Sequence, residues 1–550
     1  MATVYVNDKP VDIGNEKLNL IQAADKAGVL IPHYCWHEAL TVVASCRMCL
    51  VEVGEKKSDG TVAMQPRVVP GCQTPAKDGT VIVTNSQKAK TAQASTLEGI
   101  LLNHPLDCPV CDKAGECLLQ DYSFKFGNSQ SRMIEDKNQP PNKENLGEHI
   151  KLFTDRCIMC SRCVRFTREI SGTAELQIIN RGSHSEIDVF PGEPCNNKLA
   201  GNVVDLCPVG ALGNKEFLYT QRVWFLKTVD SVCADCSTGC STHVDYNKDI
   251  VYRLRPRENH EAQGFFMCDE GRFGFDYVNS NDRFIRPLVR KEGQLTMTQW
   301  PEVTPELRKK LSDAATQEAS SVVAVLSPFL TCEEAYLLAK YFKGLSSDVR
   351  LALGPVPVVG EDDTYPKDCK GNPKQPVKFT IRAEKCPNRR GVEDVLKHFQ
   401  GGVIAFDEVL RSAAEGKVKA LYLAAGYPPR HGGWITEDQA AKLKDVPLVV
   451  LHDLLPSPVS KFAHYVIPAT SFAEKDGIFV NHAGLAQAIH RAVRPPQEIR
   501  TDGQIFLDLL ERKGLIHAPT LRAELAKEVP SFAALASGDP GPTGVRLSAS

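Results

Sequence analysis

Sixteen of the nineteen cysteines lie in residues 1–268 and three in the remaining 282, so the chain divides into a thiol-rich front and a thiol-poor back. At 550 residues it is long enough to bury more than one core, and it needs no disulfides in order to fold. The start, MATVYVNDKP, has no basic region ahead of an apolar core, and no apolar run approaches about 18 residues, the length that would suggest a membrane span. The chain therefore reads as soluble and intracellular. In a reducing compartment, metal binding or redox chemistry explains these thiols better than disulfides. A net charge of -2 on a background with 24% charged residues offers no basic field for nucleic acid and no polybasic segment for an anionic membrane.

Along the chain, β-branched residues on either side of a turn at Asp8-Lys9-Pro10 predict a β-hairpin. LNLIQAADKAG then predicts a helix with Leu18, Ile21 and Ala24 on one face and Gly28 at its stop. CLVEV and TVIVTN complete a small β-rich unit, residues 1–85. Residues 86–150 read as mostly helical and polar, residues 151–220 carry the next cysteine group, and residues 221–277 a further one. From residue 278 to 536 the pattern becomes α/β: VVAVLSPF is a buried-strand run followed by the helical CEEAYLLAKYFK, and ALYLAAG and PLVVLHDLL are further strands. Residues 353–390, rich in Pro, Lys and Asp, are expected to form an exposed insertion or linker, with KGNPKQPVK a solvated loop. The tail, residues 537–550, is expected to be disordered.

The first cysteine set, Cys35, Cys46, Cys49 and Cys72, has ten, two and twenty-two residues intervening. A lone cysteine, a C-x-x-C pair and a distant fourth cysteine in a β-rich setting suit a plant-type 2Fe-2S cluster, though the first gap is longer; four thiolates would also suit structural zinc. The third set, Cys157, Cys160 and Cys163 in CIMCSRC with Cys207 followed by Pro208, has the two-two spacing with which a short loop wraps one face of a 4Fe-4S cubane. Cys195 competes for its fourth position, but it is preceded by proline, not followed by it, and is read as a spare thiol. The fourth set, Cys233, Cys236, Cys240 and Cys268, has gaps of two, three and twenty-seven. These four can converge on a further cubane, with a zinc ribbon as the alternative. The second set, HPLDCPVCDKAGEC, supplies only Cys108, Cys111 and Cys117. A lone histidine near cysteines is usually incidental, but this triplet is one ligand short and Pro105 restrains the chain beside His104, which makes His104 the fourth ligand. A neutral imidazole in place of a thiolate raises a cluster's reduction potential.

One 2Fe-2S and three 4Fe-4S clusters would use fifteen of the nineteen cysteines. No G-x-G-x-x-G fingerprint, P-loop, triad or paired-carboxylate signature is present, so the sequence contains electron carriers and no recognisable catalytic site of its own.

The order of these sets, carried by GCQTP, HPLDCPVCDKAGECLLQD, RCIMCSRCVRF, LCPVGAL and MCDEGRFG, resembles the G subunits of bacterial NADH-quinone oxidoreductase, counterparts of the 75-kDa iron-sulfur subunit of respiratory complex I. ALYLAAGYPP and YVIPATSFAEKDGIFVNHAG resemble molybdopterin oxidoreductases more weakly. The resemblance implies an α+β multidomain chain: a β-grasp 2Fe-2S ferredoxin domain, a one-His/three-Cys 4Fe-4S domain, a ferredoxin-like 4Fe-4S domain, a 4Fe-4S domain of the Mo/W-oxidoreductase type and a truncated molybdopterin-oxidoreductase-like region. It also implies a peripheral place in the hydrophilic arm of a membrane complex, on the cytoplasmic side of the bacterial inner membrane. Electrons would come from an FMN/NADH-binding subunit to the Cys35 set, pass through the Cys157 set to the His104 set, and leave to a ferredoxin-like two-cluster subunit on the way to quinone. The fourth set would lie off that path in a structural role. The short C-terminal region would be scaffold, with no molybdopterin.

Rival readings share the front half. A formate dehydrogenase would need a molybdenum-ligating residue beyond the fourth set, and an iron hydrogenase would need further clustered cysteines. Cys332, Cys369 and Cys386 provide neither, and two of them fall in the expected linker.

Overall fold

The computed structural model describes residues 2–548 except 497. The chain forms two compact units, residues 1–225 together with 365–376, and residues 226–364 together with 377–550.

The first unit begins with a mixed sheet in the strand order Lys9–Gly14, Ala2–Val6, Thr80–Val83, Leu50–Lys56, Val62–Met64. Ala2–Val6 runs parallel to Thr80–Val83, and the other pairs are antiparallel. The hairpin turns at Asn7 and Asp8, both with positive φ, and not at Asp8-Lys9-Pro10 as the residue types suggested. A two-residue turn with positive φ at both positions matches strand twist, and Pro10 is tolerated because its strand is the sheet's edge. Helix Leu20–Lys26 is opened by a reciprocal Asn19–Gln22 capping box and ends before Gly28, whose φ is +70°. It packs Leu20, Ile21, Ala23 and Ala24 onto Val4, Val6, Val51 and Ile82. Helices Gln87–Leu101 and Leu118–Phe126 follow, and then Ile150–Leu152 pairs with Leu212–Asn214 to frame the third cysteine set.

The second unit starts with a three-stranded antiparallel sheet, Lys227–Val232, Ser241–Asn247 and Ile250–Pro256. A seven-stranded sheet follows, in the order Gln294–Met297, Leu288–Lys291, Tyr465–Pro468, Leu448–Asp453, Ala420–Ala424, Val322–Leu326, Arg350–Leu353. Its last five strands are parallel. Strands Val322–Leu326 and Ala420–Ala424 are buried along their whole length, as expected of parallel strands covered on both faces, and helix Cys332–Leu345 covers one face. The α/β reading of the C-terminal region is therefore correct in kind.

Three further local expectations fail. Residues 86–150 are not mostly helical, since Gln87–Leu101 and Leu118–Phe126 are their only helices and nearly all the rest is loop. Only part of residues 353–390 is an exposed insertion. Residues 370–378 are exposed, but Phe379–Ile381 pairs with Asp363–Tyr365, and Cys386 and Asn388 are fully buried. The Asn388 amide explains the burial, since it donates to the Leu330 carbonyl (2.7 Å) and accepts from the Val480 N–H (2.8 Å). The described part of the tail, residues 537–548, is not a disordered segment either, and residues 549–550 lie outside the described residues. Val545–Arg546 adds a strand beside Leu485–Ile489, and the Leu547 N–H bonds the Gly484 carbonyl at 2.9 Å. Gly- and Pro-rich composition hid this because the pairing partner lies some sixty residues earlier.

Candidate metal centres

None of the nineteen cysteines is in a disulfide. Fifteen of them make up the four expected sets, three in the first unit and one in the second.

The first set lies on the loop after helix Leu20–Lys26 and on the turn that follows Val69–Pro70. Left-handed Ala44 and Arg47 curl that loop, so that the Cys35 N–H approaches the Cys46 sulfur at 3.5 Å. Hydrogen bonding between thiols links Cys46 to Cys35, Cys35 to Cys72 and Cys72 to Cys49, driving Cys35 and Cys49 toward the thiolate and Cys46 and Cys72 away from it. The four thiols are thus joined in one chain, Cys46 to Cys35 to Cys72 to Cys49. Gly71 allows this approach, since a Cβ there would lie 3.2 Å from the Cys49 carbonyl.

In the second set Cys108 is exposed, while Cys111 and Cys117 are buried, the latter at the start of helix Leu118–Phe126. Arg222 holds the loop by donating to the carbonyls of Cys111 (3.1 Å), Cys108 (3.2 Å) and Pro109 (3.2 Å). Burial, seconded by Arg156, pushes the His104 imidazole down to about 4, so it is neutral and offers a lone pair at neutral pH. Its Nδ1 is buried with no hydrogen-bond partner among the described residues.

The third set is wound by Met159 and Ser161, both left-handed, which turns successive N–H groups inward in the manner of anion-binding nests; the Met159 N–H lies 3.4 Å from the Cys157 sulfur. Burial pushes Cys157 up to about 12, Cys160 to about 11 and Cys163 well above the usual range. The thiols of Cys157, Cys160 and Cys207 each repel a negative charge on Cys163. Cys207, at the end of helix Asn202–Leu206, thus completes the set. The Cys195 sulfur instead faces Glu175 (3.6 Å) and Asn197 (3.8 Å).

In the fourth set Cys233 and Cys240 end and begin adjacent strands, joined by the Cys233 N–H to the Cys240 carbonyl at 2.8 Å. Cys268 caps helix Asp269–Phe273. All four are buried, and burial raises every thiol. A Cβ on Gly271 would fall 2.6 Å from the Cys233 sulfur. Beside them, Arg430 bonds Asp235 (2.9 Å) and the Glu270 carbonyl (2.7 Å), while Lys385 pairs with Glu270.

Clustered, mostly buried thiols are a poor environment for bare thiolates and a good one for a cationic iron centre, which would neutralise them on binding. Two orphaned polar atoms fit the same interpretation: His104 Nδ1, and the hydroxyl of Tyr34, a fully buried residue among whose electrostatic neighbours are Cys117 and Cys46. The first three groups also share direct links. Arg165 donates to the carbonyls of both Cys35 and Cys160. The Leu118 N–H bonds the Pro208 carbonyl at 3.0 Å, and a Cβ on Gly210 would lie 2.2 Å from the Cys111 sulfur. Ligand spacing does not reveal Arg165, Arg222, Tyr34 or Gly210. The only sequence signal for them is that each adjoins or closely follows a ligand motif.

Comparison with known proteins agrees with this arrangement. Residues 1–87 match the 2Fe-2S iron-sulfur cluster binding domain, and 93–132 the NADH-ubiquinone oxidoreductase-G iron-sulfur binding region. Residues 147–213 match the ferredoxin-like domain of NADH-quinone oxidoreductase subunit 3, 226–280 the molybdopterin oxidoreductase Fe4S4 domain, and 397–512 molybdopterin oxidoreductase. Similar curated proteins include the NADH-quinone oxidoreductase G subunit of Rickettsia conorii (34% identity, 63% of this chain, 50% of that one). They also include the NADH-ubiquinone oxidoreductase 75 kDa subunit of Reclinomonas americana (33%, 67% and 51%) and an NADH-quinone oxidoreductase G subunit of Rhizobium meliloti (36%, 62% and 39%). The chain spans about half the length of the curated relatives it matches. A crystal structure of an NAD+-reducing [NiFe]-hydrogenase overlaps 40% of this chain and 91% of its own at 27% identity and a TM-score of 0.35.

Proposed function

We infer that this chain, a relative of the NADH-quinone oxidoreductase G subunits, is an electron-transfer subunit of a proton-pumping NADH:quinone oxidoreductase. In this reading Cys35, Cys46, Cys49 and Cys72 hold a 2Fe-2S cluster. His104, Cys108, Cys111 and Cys117 hold one 4Fe-4S cluster, Cys157, Cys160, Cys163 and Cys207 a second, and Cys233, Cys236, Cys240 and Cys268 a third. Such clusters, when bound, supply reversible one-electron chemistry. The chain's own residues fix the sulfurs, shield most of them from water, with Cys108 exposed and Cys46 and Cys157 partly so, and supply cations beside the buried thiols.

The observation that carries the reading is the sequence of direct links in the first unit, from the Cys35 set through Arg165 to the Cys157 set, and from there through Pro208, Gly210 and Leu118 to the second set. It supports transfer in that order, from an FMN/NADH-binding subunit to a ferredoxin-like two-cluster subunit and on toward quinone. No helix among the described residues is long and apolar enough to cross a membrane. In this reading the chain has a peripheral place on the cytoplasmic side of the inner membrane. Strands packed on both faces favour a scaffold role, without molybdopterin, for the C-terminal region.

Iron and acid-labile sulfide analysis of anaerobically purified protein tests the reading, with about fourteen of each expected per chain. Colourless protein with zinc in place of iron and sulfide would refute it. His104→Cys should lower the potential of one cluster, because a thiolate is anionic where imidazole is neutral.

A further inference from the structure

Two guanidinium groups are buried between the first and third cysteine sets, and neither has a carboxylate partner among the described residues. Arg165 is 1% exposed and Arg162 7%. Arg165 donates from Nη2 to the carbonyls of Cys35 and Cys160 (the latter at 3.4 Å), from Nη1 to the Thr41 carbonyl (2.5 Å) and from Nε to the Ser161 hydroxyl (3.3 Å). Arg162 donates from Nη2 to the Trp36 carbonyl (2.5 Å) and from Nη1 to the Leu206 carbonyl (3.2 Å). Trp36 follows Cys35 and Leu206 precedes Cys207, so each arginine grips one loop of each set.

Neutral oxygens meet most of the N–H groups, Arg162 Nε having no partner among the described residues, but leave the charge uncompensated, and buried charge persists only with opposite charge nearby. The groups that would carry opposite charge are the ligand cysteines of the proposed clusters: Arg165 bonds the Cys35 and Cys160 carbonyls, and Arg162 those of Trp36 and Leu206, the neighbours of Cys35 and Cys207. A planar fork that spans two carbonyls and stays ionised is a property of arginine that lysine lacks.

We propose that Arg162 and Arg165 are a shared countercharge for the centres held by the first and third sets, raising the reduction potentials of both together. The proposal rests on the functional reading above. Reduction adds one electron to a centre, and hence one negative charge, which a fixed cation at the ligand loops favours. No proton moves, no bond changes at the guanidinium, and both arginines are positioning residues.

The test is a potentiometric titration of the intact, anaerobically purified complex, followed by low-temperature paramagnetic resonance. Arg165→Gln should lower the reduced-to-oxidised ratio of both centres about tenfold at fixed potential, about 59 mV for a one-electron couple. Arg165→Lys, which keeps the charge and loses the fork, should change that ratio less than about threefold, a shift small beside a decade. Should Arg165→Gln not assemble, Arg162→Gln carries the same expectation. Unmoved midpoints in a variant with full iron content would overturn the proposal, as would reduced cluster content with unmoved midpoints in the clusters that remain. Wild-type protein without iron or sulfide would instead refute the functional reading itself.

Discussion

Gly210 offers a test of the second metal centre that leaves every proposed ligand in place. A Cβ at this position would sit 2.2 Å from the Cys111 sulfur and 3.1 Å from the Lys113 Cβ. Non-bonded contacts of this kind settle at about 3.5–4.0 Å, so the sulfur must retreat by more than about 1 Å. A free thiol can do so by changing rotamer, whereas a sulfur bonded to iron cannot move without breaking the bond. Gly210→Ala should therefore cost about 1–3 kcal/mol of folding stability, an ordinary overpacking penalty, while removing one whole cubane. Iron and sulfide should each fall by about four of about fourteen per chain, with one paramagnetic signal lost after dithionite reduction. Gly99→Ala is the control, since a Cβ there meets nothing within 4 Å, and in helix Gln87–Leu101 it should stabilise by about 1 kcal/mol with iron unchanged. Full iron content and an unaltered spectrum in Gly210→Ala would show that Cys111 is not a ligand in this geometry.

The second unit yields three further expectations. Arg283 and Glu474, each with a side chain 1% exposed, form a two-pronged pair at 2.7 Å per prong, so Glu474→Gln should cost about 3–5 kcal/mol by leaving a buried guanidinium unpaired; a fall under about 1 kcal/mol in urea unfolding would contradict this. Burial pushes the Asp453 carboxyl up to about 6, against about 3.9 in an unfolded chain. The folded state thus holds the proton more tightly, and this group's contribution is full below about pH 4 and is lost as pH rises through about 6. Between about pH 5 and pH 7 the stability difference should move toward Asp453→Asn by about 1 kcal/mol relative to wild type, and a pH-independent difference would exclude the effect. Cys233→Ala should impair assembly more than turnover in the complex that still forms, and normal assembly with greatly reduced turnover would assign the fourth set to the electron path.

The proposed ligands were legible because a cubane or binuclear site recruits most of its ligands from one short loop, and the reach of that loop appears directly as spacing. CIMCSRC needs no partner to be interpretable, and His104 could be proposed by counting, since its triplet lacks one donor. The errors lay where local composition competes with distant packing. Proline and lysine around Cys386 suggested a linker, but the Asn388 side chain ties that stretch to Leu330 and Val480. Glycine and proline near the C-terminus suggested disorder, but the edge at Leu485 accepts a strand there.

Residue spacing alone names the candidate ligands and their grouping, and residue pattern the alternation of strands and helices behind them. Only the tertiary structure decided what neutralises and confines those groups. Arg165 meets the Cys35 carbonyl across 130 positions, and Gly210 meets Cys111 from a different cysteine set. Coordination number can be counted along a chain, but electrostatic compensation and steric clearance depend on distances in space, which arise only after remote segments have packed together.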